Sequence, residues 1–531
     1  MEKTYNDFMS DISQDELYRG LLAFGMFADK LPPVFTSESF FDYCQQIQHN
    51  FENTPHQLIS YENMRNINIP RHLSIPNPFA YQRLCRCIAD NWNAILTHFN
   101  DKTQINRYKV SRIHIRKITN SEILYTSDYD HSQEFIESFN NGLFDMNYTN
   151  WKTDGNPETD ILLGKRWLVR ADISNCFPSI YTHSIPWALV GKDTAKNNRR
   201  GNVWYNRIDK CSQNIKYGET NGVPIGPHTS NLLSEIILVA IDNGLHNSEN
   251  SWDYIRKIDD YTCYTNSRED AELFLTELNK QLREYNLSLN HKKTEILELP
   301  IASGSHWTRQ MEHISHYERK GRLDYKAVRS YLDSAIELMD RNNANSSILK
   351  YAIKVLSRQT GVTDNAKAYI SKTAMNLCVI YPYLISLLDV FVFTPFNVDI
   401  ESIALFSNIM LESSLRIRNY EAASYCVYFA IKYGFTLDDL LASTVIESAN
   451  CVFITMTCFY YSKVKSIKDK EEIVQHAKKL ASDKDDFEQN WLFIYECLSA
   501  SELPDSPNGW KELKNNGISF LRDDFVGCCG N

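Results

Sequence analysis

The chain lacks the cysteine spacings of a metal-stapled or secreted protein. None of its 13 cysteines forms a Cys-x-x-Cys pair; Cys85 and Cys87 are separated by one residue and Cys528 and Cys529 are adjacent. Neither spacing suits a structural zinc site. An odd, scattered set reads as free, mostly buried thiols in a reducing cytoplasm. The first residues carry no basic start followed by an apolar run, so no signal peptide is expected. There is no long low-complexity tract, which argues for a folded chain. The longest apolar stretch, residues 378–393, contains Pro382 and Asp389. A buried core helix accounts for it better than a membrane span, and no membrane partner is expected. Positive charge is also in short supply. The net charge of −10 is unpromising for a chain that grips long duplexes, where many phosphates must be neutralised.

The charge is unevenly placed. Residues 65–120 hold ten Lys or Arg, from Arg65 and Arg71 to Arg116 and Lys117, against Asp90 and Asp101. That stretch is therefore +8 and the remainder −18. A basic patch on an acidic body suits triphosphates or a short strand. With 531 residues, 43% hydrophobic and 12% aromatic, two to three domains with sizeable cores are expected. Leu17, Leu21, Leu22, Phe24 and Phe27 recur at helical spacing, and residues 37–47 continue the pattern beyond Pro32-Pro33. From Ile69 to Pro300 short β-prone runs (166–173, 252–258, 261–265) alternate with amphipathic helices such as 269–285. After about Ser303 the strands fade. Helices are predicted at 325–339, 348–357, 364–380, 399–414, 420–433, 437–448 and 487–499, a texture of stacked helical hairpins. The expected domains are 1–64, 65–302 and 303–531.

Two acidic clusters lie 87 positions apart. Asp172 closes the extended run Trp167-Leu168-Val169-Arg170-Ala171, and Asp259-Asp260 sits between two β-prone runs as the tip of a hairpin. Strands that deliver carboxylates to one point make a site for hard divalent cations, which can run phosphoryl or nucleotidyl transfer. Carboxylates beside a β-core are costly unless a cation neutralises them. The carbonyl of Ile173 can join such a site. Phe177, five residues beyond Asp172, is placed to pack beneath a nucleotide sugar. Between the clusters, Asn221-Gly222-Val223-Pro224-Ile225-Gly226-Pro227 opens an apolar helix. Glycine there lets backbone approach a flat base, and Thr229 or Ser230 is expected to cap the helix. Downstream, Asn290-His291-Lys292-Lys293-Thr294 follows a short strand.

Basic finger, Asp with an aromatic at +5, Gly/Pro loop into helix, Asp-Asp hairpin, then Asn-x-x-Lys-Thr: this ordered set resembles the palm of reverse transcriptases, over about residues 65–300. The resemblance implies an α/β palm and fingers of reverse-transcriptase type. It implies that Asp172, Asp259 and Asp260 are catalytic and ligate two Mg²⁺, with Mn²⁺ as an alternative. It also implies that Phe177 is a gate against a 2′-hydroxyl, that Arg71 meets the triphosphate, that Gly226 supports the base, and that Lys293 stands near the leaving pyrophosphate. Two positions depart from the pattern. Lys257 stands where the family has an aromatic, and Pro224-Ile225-Gly226 replaces Pro-Gln-Gly, removing a polar contact near the nascent pair.

The near-neutral helical half resembles the bacterial abortive-infection reverse transcriptases of the AbiK type. That resemblance implies an all-α, HEAT-like repeat domain, homo-oligomeric assembly, a cytoplasmic location and a role in anti-phage defence. It further implies a polymerase that takes dNTPs without a template and is primed by the protein, leaving single-stranded DNA covalently attached. Tyr5, Tyr18, Tyr43 and Tyr61 are N-terminal candidates for the priming hydroxyl. Two other readings stay open: a templated enzyme copying a partner non-coding RNA, and a vestigial palm carrying a helical interaction or toxin module.

Overall fold

The computed structural model describes residues 9–28, 30–47, 51–66, 69–103, 114–117, 144–147, 157–199, 202–248, 250–302, 306–315, 323–438, 440–464, 467–504 and 509–522. Tyr5 and the basic residues Arg107, Lys109 and Arg112 lie outside them. Helices α1 (Gln14–Phe24) and α2 (Glu38–Ile47) come first, followed by paired strands β1 (Ile59–Asn66) and β2 (Ile69–Ile75) and helices α3 (Pro78–Asp90) and α4 (Trp92–Thr103). A short antiparallel ribbon, β3 (His114–Lys117) with β4 (Phe144–Asn147), precedes β5 (Trp167–Asp172). Then come α5 (Ser184–Val190), α6 (Lys192–Asn197), α7 (Trp204–Asn214), α8 (His228–His246), β6 (Asp253–Lys257), β7 (Asp260–Thr265), α9 (Arg268–Glu284) and β8 (Glu295–Glu298).

The chain divides into two compact units. The first comprises Met1–Ala28, Ser37–Leu58 and Ser74–Ile301; the second comprises Asp29–Thr36, Ile59–Leu73 and Ala302–Asn531. In the first, α1 starts at a capping box in which Ser13 and Glu16 satisfy each other's backbone N–H. Its apolar stripe buries Leu17, Leu21 and Leu22, and Gln82 of α3 donates to the buried Tyr18 hydroxyl at 3.0 Å. Strands β6, β7, β5 and β8 form an antiparallel sheet in that order. Strand periodicity then assigns the faces. Val169, Ala171, Tyr261 and Cys263 are buried, and Tyr254 and Trp252 meet Phe274 of α9. Leu168, Arg170 and Asp172 alternate with them on the opposite face, where Arg170 stays exposed and pairs with Glu295 at 3.0 Å. The sheet thus has one face covered by helices and one open end carrying Asp172.

In the second unit the helices are α10 (Tyr325–Arg341), α11 (Ser346–Ser357), α12 (Asp364–Ile380), α13 (Ile400–Arg416), α14 (Tyr420–Tyr433), α15 (Cys451–Val464), α16 (Ile467–Ala481) and α17 (Trp491–Cys497). Links of a few residues make hairpins of α10 with α11 and α13 with α14. Two expectations change here. The helix predicted at 437–448 is confined to Ala442–Glu447, and that at 487–499 is broken at Asn490 into Lys484–Gln489 and α17. The apolar stretch 378–393 is mostly buried within this unit, with Ile380 exposed. It closes in a π-helical turn, Asp389–Phe393, whose buried Asp389 accepts from Tyr428 at 2.8 Å and Lys432 at 2.7 Å. Among the described residues no helix is long and apolar enough to cross a membrane.

The second unit is not continuous in sequence. Residues 30–36 join it through Thr36 N–H to Phe520 O (3.0 Å) and Arg522 N–H to Val34 O (2.8 Å). Strand β1 joins through Glu421, in the first turn of α14. Its carboxylate accepts from Met64 N–H at 2.6 Å and from the Asn63 amide. Burial pushes the Glu421 carboxyl up to about 7, because the charged form is stripped of water. A raised carboxyl favours the fold below pH about 4.5 and loses that contribution as pH climbs through 7. Relative to Glu421→Gln, the parent chain is expected to lose about 2–3 kcal/mol between pH 4.5 and pH 7.5. Urea denaturation of both chains across that range measures it, and parallel pH profiles would refute it.

Candidate active site

Three chain segments converge at the open end of the sheet. In the β5–β7 ladder Asp172 stands directly opposite Asp260. Asp259 lies in the two-residue turn that joins β6 to β7, where Lys257 pairs with Asp260. The turn is closed by Ile258 at φ +55°, a left-handed conformation unusual for a β-branched residue. Its place is held from both sides. The Ile173 N–H donates to Asp259 O at 3.0 Å, and the Arg256 guanidinium donates to Ile258 O at 3.0 Å. One oxygen from each of Asp172, Asp259 and Asp260 falls within 4.8 Å of the others, with Asp172 buried, Asp259 half-buried and Asp260 exposed.

That spacing fits a hard cation. Oxygens bound at about 2.0–2.6 Å to one ion lie within about 5 Å of one another. The electrostatics agree. Although Asp260 is exposed as a residue, its carboxyl is pushed up to about 6 by partial loss of water around it, by its hydrogen bond with Asp172 and by the charges of Asp259 and Asp172, with Lys293 opposing. Carboxylates held so close resist ionising together, and a cation among them relieves that repulsion. Lys293 supplies part of that charge. Its ammonium meets Asp172 Oδ1 at 3.0 Å, which holds the lysine more firmly protonated than usual. Asn290 Nδ2 donates to the other oxygen, Oδ2, at 2.8 Å, and Asn290 N–H donates to Asp172 O at 2.7 Å. The Asn-x-x-Lys-Thr segment is therefore a clamp on Asp172, closed by Thr294 Oγ1 to Asn290 O at 2.9 Å. Asn290 was not among the residues singled out from the sequence, although its motif was.

The remaining expected residues sort as follows. Ile173 is buried beside Asp259. Phe177 is half-buried on the helical turn Cys176–Ser179. The Gly/Pro loop is stitched to that turn by Val223 N–H to Phe177 O (2.9 Å) and Gly222 N–H to Ile180 O (2.7 Å). Gly222 has φ +80°, and a Cβ there would meet Pro178 O at 2.9 Å, so only glycine fits. Gly226, at φ +129°, lies against Ser74, whose N–H donates to Ile225 O at 2.8 Å; a Cβ would stand 3.1 Å from Ser74 O. Helix α8 is not capped by Thr229 or Ser230. The cap position is Pro227, and both hydroxyl residues are buried inside the first turn. Arg71 lies half-buried on β2, in a segment of the second unit.

Behind the hairpin is a buried ionic group that the sequence did not disclose. Arg256 is fully buried between Glu235 and Asp242, both on α8. It donates to Asp242 Oδ2 at 2.8 Å and to the two Glu235 oxygens at 3.1 and 3.0 Å. Tyr254 adds a hydroxyl to Asp242 Oδ1 at 3.2 Å.

Residues 109–333 match the family model described as reverse transcriptase (RNA-dependent DNA polymerase). The chain thus carries a reverse transcriptase domain, which implies a nucleotidyltransferase. Among solved structures, apo telomerase from Candida tropicalis is 10% identical over 78% of this chain and 69% of that one, with a TM-score of 0.29. A form truncated from its C-terminal domain is 13% identical over 50% and 55%, at 0.24. Telomerase from Candida albicans in complex with a TWJ fragment of telomeric RNA is 10% identical over 80% and 64%, at 0.27. No curated protein matches the chain.

Proposed function

We propose that this chain is a Mg²⁺-dependent polymerase of deoxynucleotides acting in anti-phage abortive infection, working without a template and priming on a hydroxyl of its own. The observation that carries the polymerase reading is the convergence of Asp172, Asp259 and Asp260 within 4.8 Å in a reverse transcriptase domain. Asp172, Asp259 and Asp260 would hold the divalent ions, Mg²⁺ or Mn²⁺, which when bound activate the attacking oxygen and stabilise the leaving pyrophosphate. Lys293, kept protonated by Asp172, offers a positive charge beside them. In this reading Phe177 selects against a 2′-hydroxyl, Arg71 meets the triphosphate and Gly226 supports the base. Ile225 in place of a glutamine, and the helical half, support template independence and the defence role, as does the resemblance to the AbiK type. A HEAT-like arrangement and a homo-oligomer belong to the same reading. So do a cytoplasmic site of action and a DNA product attached to the protein.

Self-priming requires a reachable hydroxyl. Tyr18, Tyr43 and Tyr61 are buried and cannot meet an incoming nucleotide without local opening, whereas Tyr217 is exposed. The test is incubation of the full chain with Mg²⁺ and each labelled dNTP, without template, followed by a denaturing gel and nuclease. Label that runs with the protein and is trimmed by nuclease is the expected result. Label that appears only when RNA is added would overturn template independence in favour of a copied non-coding RNA. No label under either condition would overturn the polymerase reading.

A further inference from the structure

Helices α3, α5, α6 and α7 border an open cavity of about 700 Å³ in the first unit, lined by no residue of the carboxylate cluster or of the Gly226 loop. Five cationic side chains line it: Arg83 from α3, Lys196 from α6, Arg199 just beyond α6, and Arg207 and Lys210 from α7. Helical spacing explains the last two, since positions 207 and 210 are three apart and share a face. Among the described residues Arg199, Arg207 and Lys210 form no ion pair. The one carboxylate in the lining, Asp209, is already engaged. Its Oδ2 takes His183 Nδ1, and its Oδ1 accepts from Gln213 Nε2 at 2.8 Å.

This concentration of positive charge stands in a chain of net charge −10. Cations gathered on the concave walls of a cavity repel one another and focus a positive potential into it, unlike cations spread over a convex surface. An anion relieves that repulsion. The walls also carry aromatic rings: Tyr181 meets Trp187 edge-on with ring centroids 5.7 Å apart and His183 at 4.8 Å, and the ammoniums of Lys192 and Lys196 lie over the Trp187 ring at 4.7 and 5.8 Å. Asn53, Asn202 and Asn206 add amides that can both donate and accept. Cations for phosphates, aromatic faces for a base and amides for its edge are the three components of nucleotide recognition. The volume falls within the range of small-ligand sites, about 300–1,000 Å³. The cations come from separate elements around one hollow, which favours a single compact polyanion over a strand.

We infer that this cavity is a second nucleotide site, which takes a free nucleoside triphosphate through Arg83, Lys196, Arg199, Arg207 and Lys210 without a metal ion. The inference is independent of whether the chain polymerises DNA. Triphosphate binding at the carboxylate site needs divalent cations, whereas binding at the cavity survives a chelator, so the two are separable. The full chain is dialysed in EDTA against each labelled ribonucleoside triphosphate in turn. Saturable binding of at least one is expected. It should weaken by about tenfold or more in Arg207→Glu with Lys210→Glu, and equally in Lys196→Glu with Arg199→Glu. It should persist in Asp259→Asn with Asp260→Asn. All four mutated cations are exposed, and unchanged circular dichroism and melting exclude misfolding as the cause. The inference is overturned if no triphosphate binds in EDTA, or if both charge-reversed chains bind as the parent does. It is also overturned if inorganic triphosphate competes as well as the nucleotide, since the aromatic and amide walls would then recognise nothing. Competition by a long single-stranded oligonucleotide at lower phosphate concentration would overturn it in favour of a strand path.

Discussion

Asp259→Asn combined with Asp260→Asn is expected to abolish deoxynucleotide incorporation while the chain folds as well as the parent, or slightly better. Asparagine keeps the shape of each side chain and removes two of the three anionic charges that face one another within 4.8 Å. In the absence of cations that change relieves repulsion. Asp260 already shows the strain, its carboxyl being pushed up to about 6. The site then loses the charge that a hard cation requires. Losing a single electrostatic stabiliser costs catalysis about 10²–10³, so the double variant should fall by at least the upper figure. A second readout separates a lost cation site from a distorted one. A ligand that binds only the folded chain raises its stability by mass action. Added Mg²⁺ or Mn²⁺ should therefore raise the melting temperature of the parent and leave that of the variant unchanged. Incorporation above about a tenth of the parent rate would remove the carboxylates from the chemistry.

Those acids were legible because their message is local. A β-prone run ending in Asp172 and an Asp-Asp between two such runs each specify a strand end, and the antiparallel ladder does the rest. The amphipathic helices α10, α11 and α12 were legible for a similar reason, their apolar positions recurring along one face. Helix α15 was not. Its sequence, Cys-Val-Phe-Ile-Thr-Met-Thr-Cys-Phe-Tyr-Tyr, is buried on nearly every side, so it carries little stripe and is rich in residues that favour strands. The path of residues 59–66 was equally hidden, since strand β1 belongs with helices more than 350 positions away through Asn63, Met64 and Glu421. Loop caps were misjudged at α8 because Thr229 and Ser230 are good caps in isolation, whereas Pro227, fixed in φ, already sets the entry. Arg256 illustrates the hardest case. Next to Lys257 it reads as one of two solvated charges, yet Lys257 is exposed and Arg256 is completely buried. Only the tertiary placement of Glu235 and Asp242, one on each side of it, makes that burial tolerable.

Arg256→Met is expected to cost about 3–5 kcal/mol, because it strands Glu235 and Asp242 in the interior without their partner. Incorporation should fall with it, but stability loss alone would explain that fall. A triple variant, Arg256→Met with Glu235→Met and Asp242→Leu, separates the two effects. Replacing an entire buried ionic group by apolar side chains of similar volume is often neutral or stabilising, so this chain should regain most of the lost stability in urea denaturation. Incorporation should stay low. Arg256 does more than neutralise α8, since it also donates at 3.0 Å to the carbonyl of Ile258, the residue that turns the chain at φ +55° immediately before Asp259. A β-branched residue held there carries strain on the order of 1–3 kcal/mol, and it persists only where neighbouring bonds over-determine it. Without the guanidinium that carbonyl has lost its donor, the turn can relax, and Asp259 drifts from Asp172 although the core beneath is intact. Metal-induced stabilisation should therefore weaken in the triple variant as well, a change that a purely structural ion pair would not cause. Full recovery of both stability and incorporation would make Arg256 a core residue and nothing more.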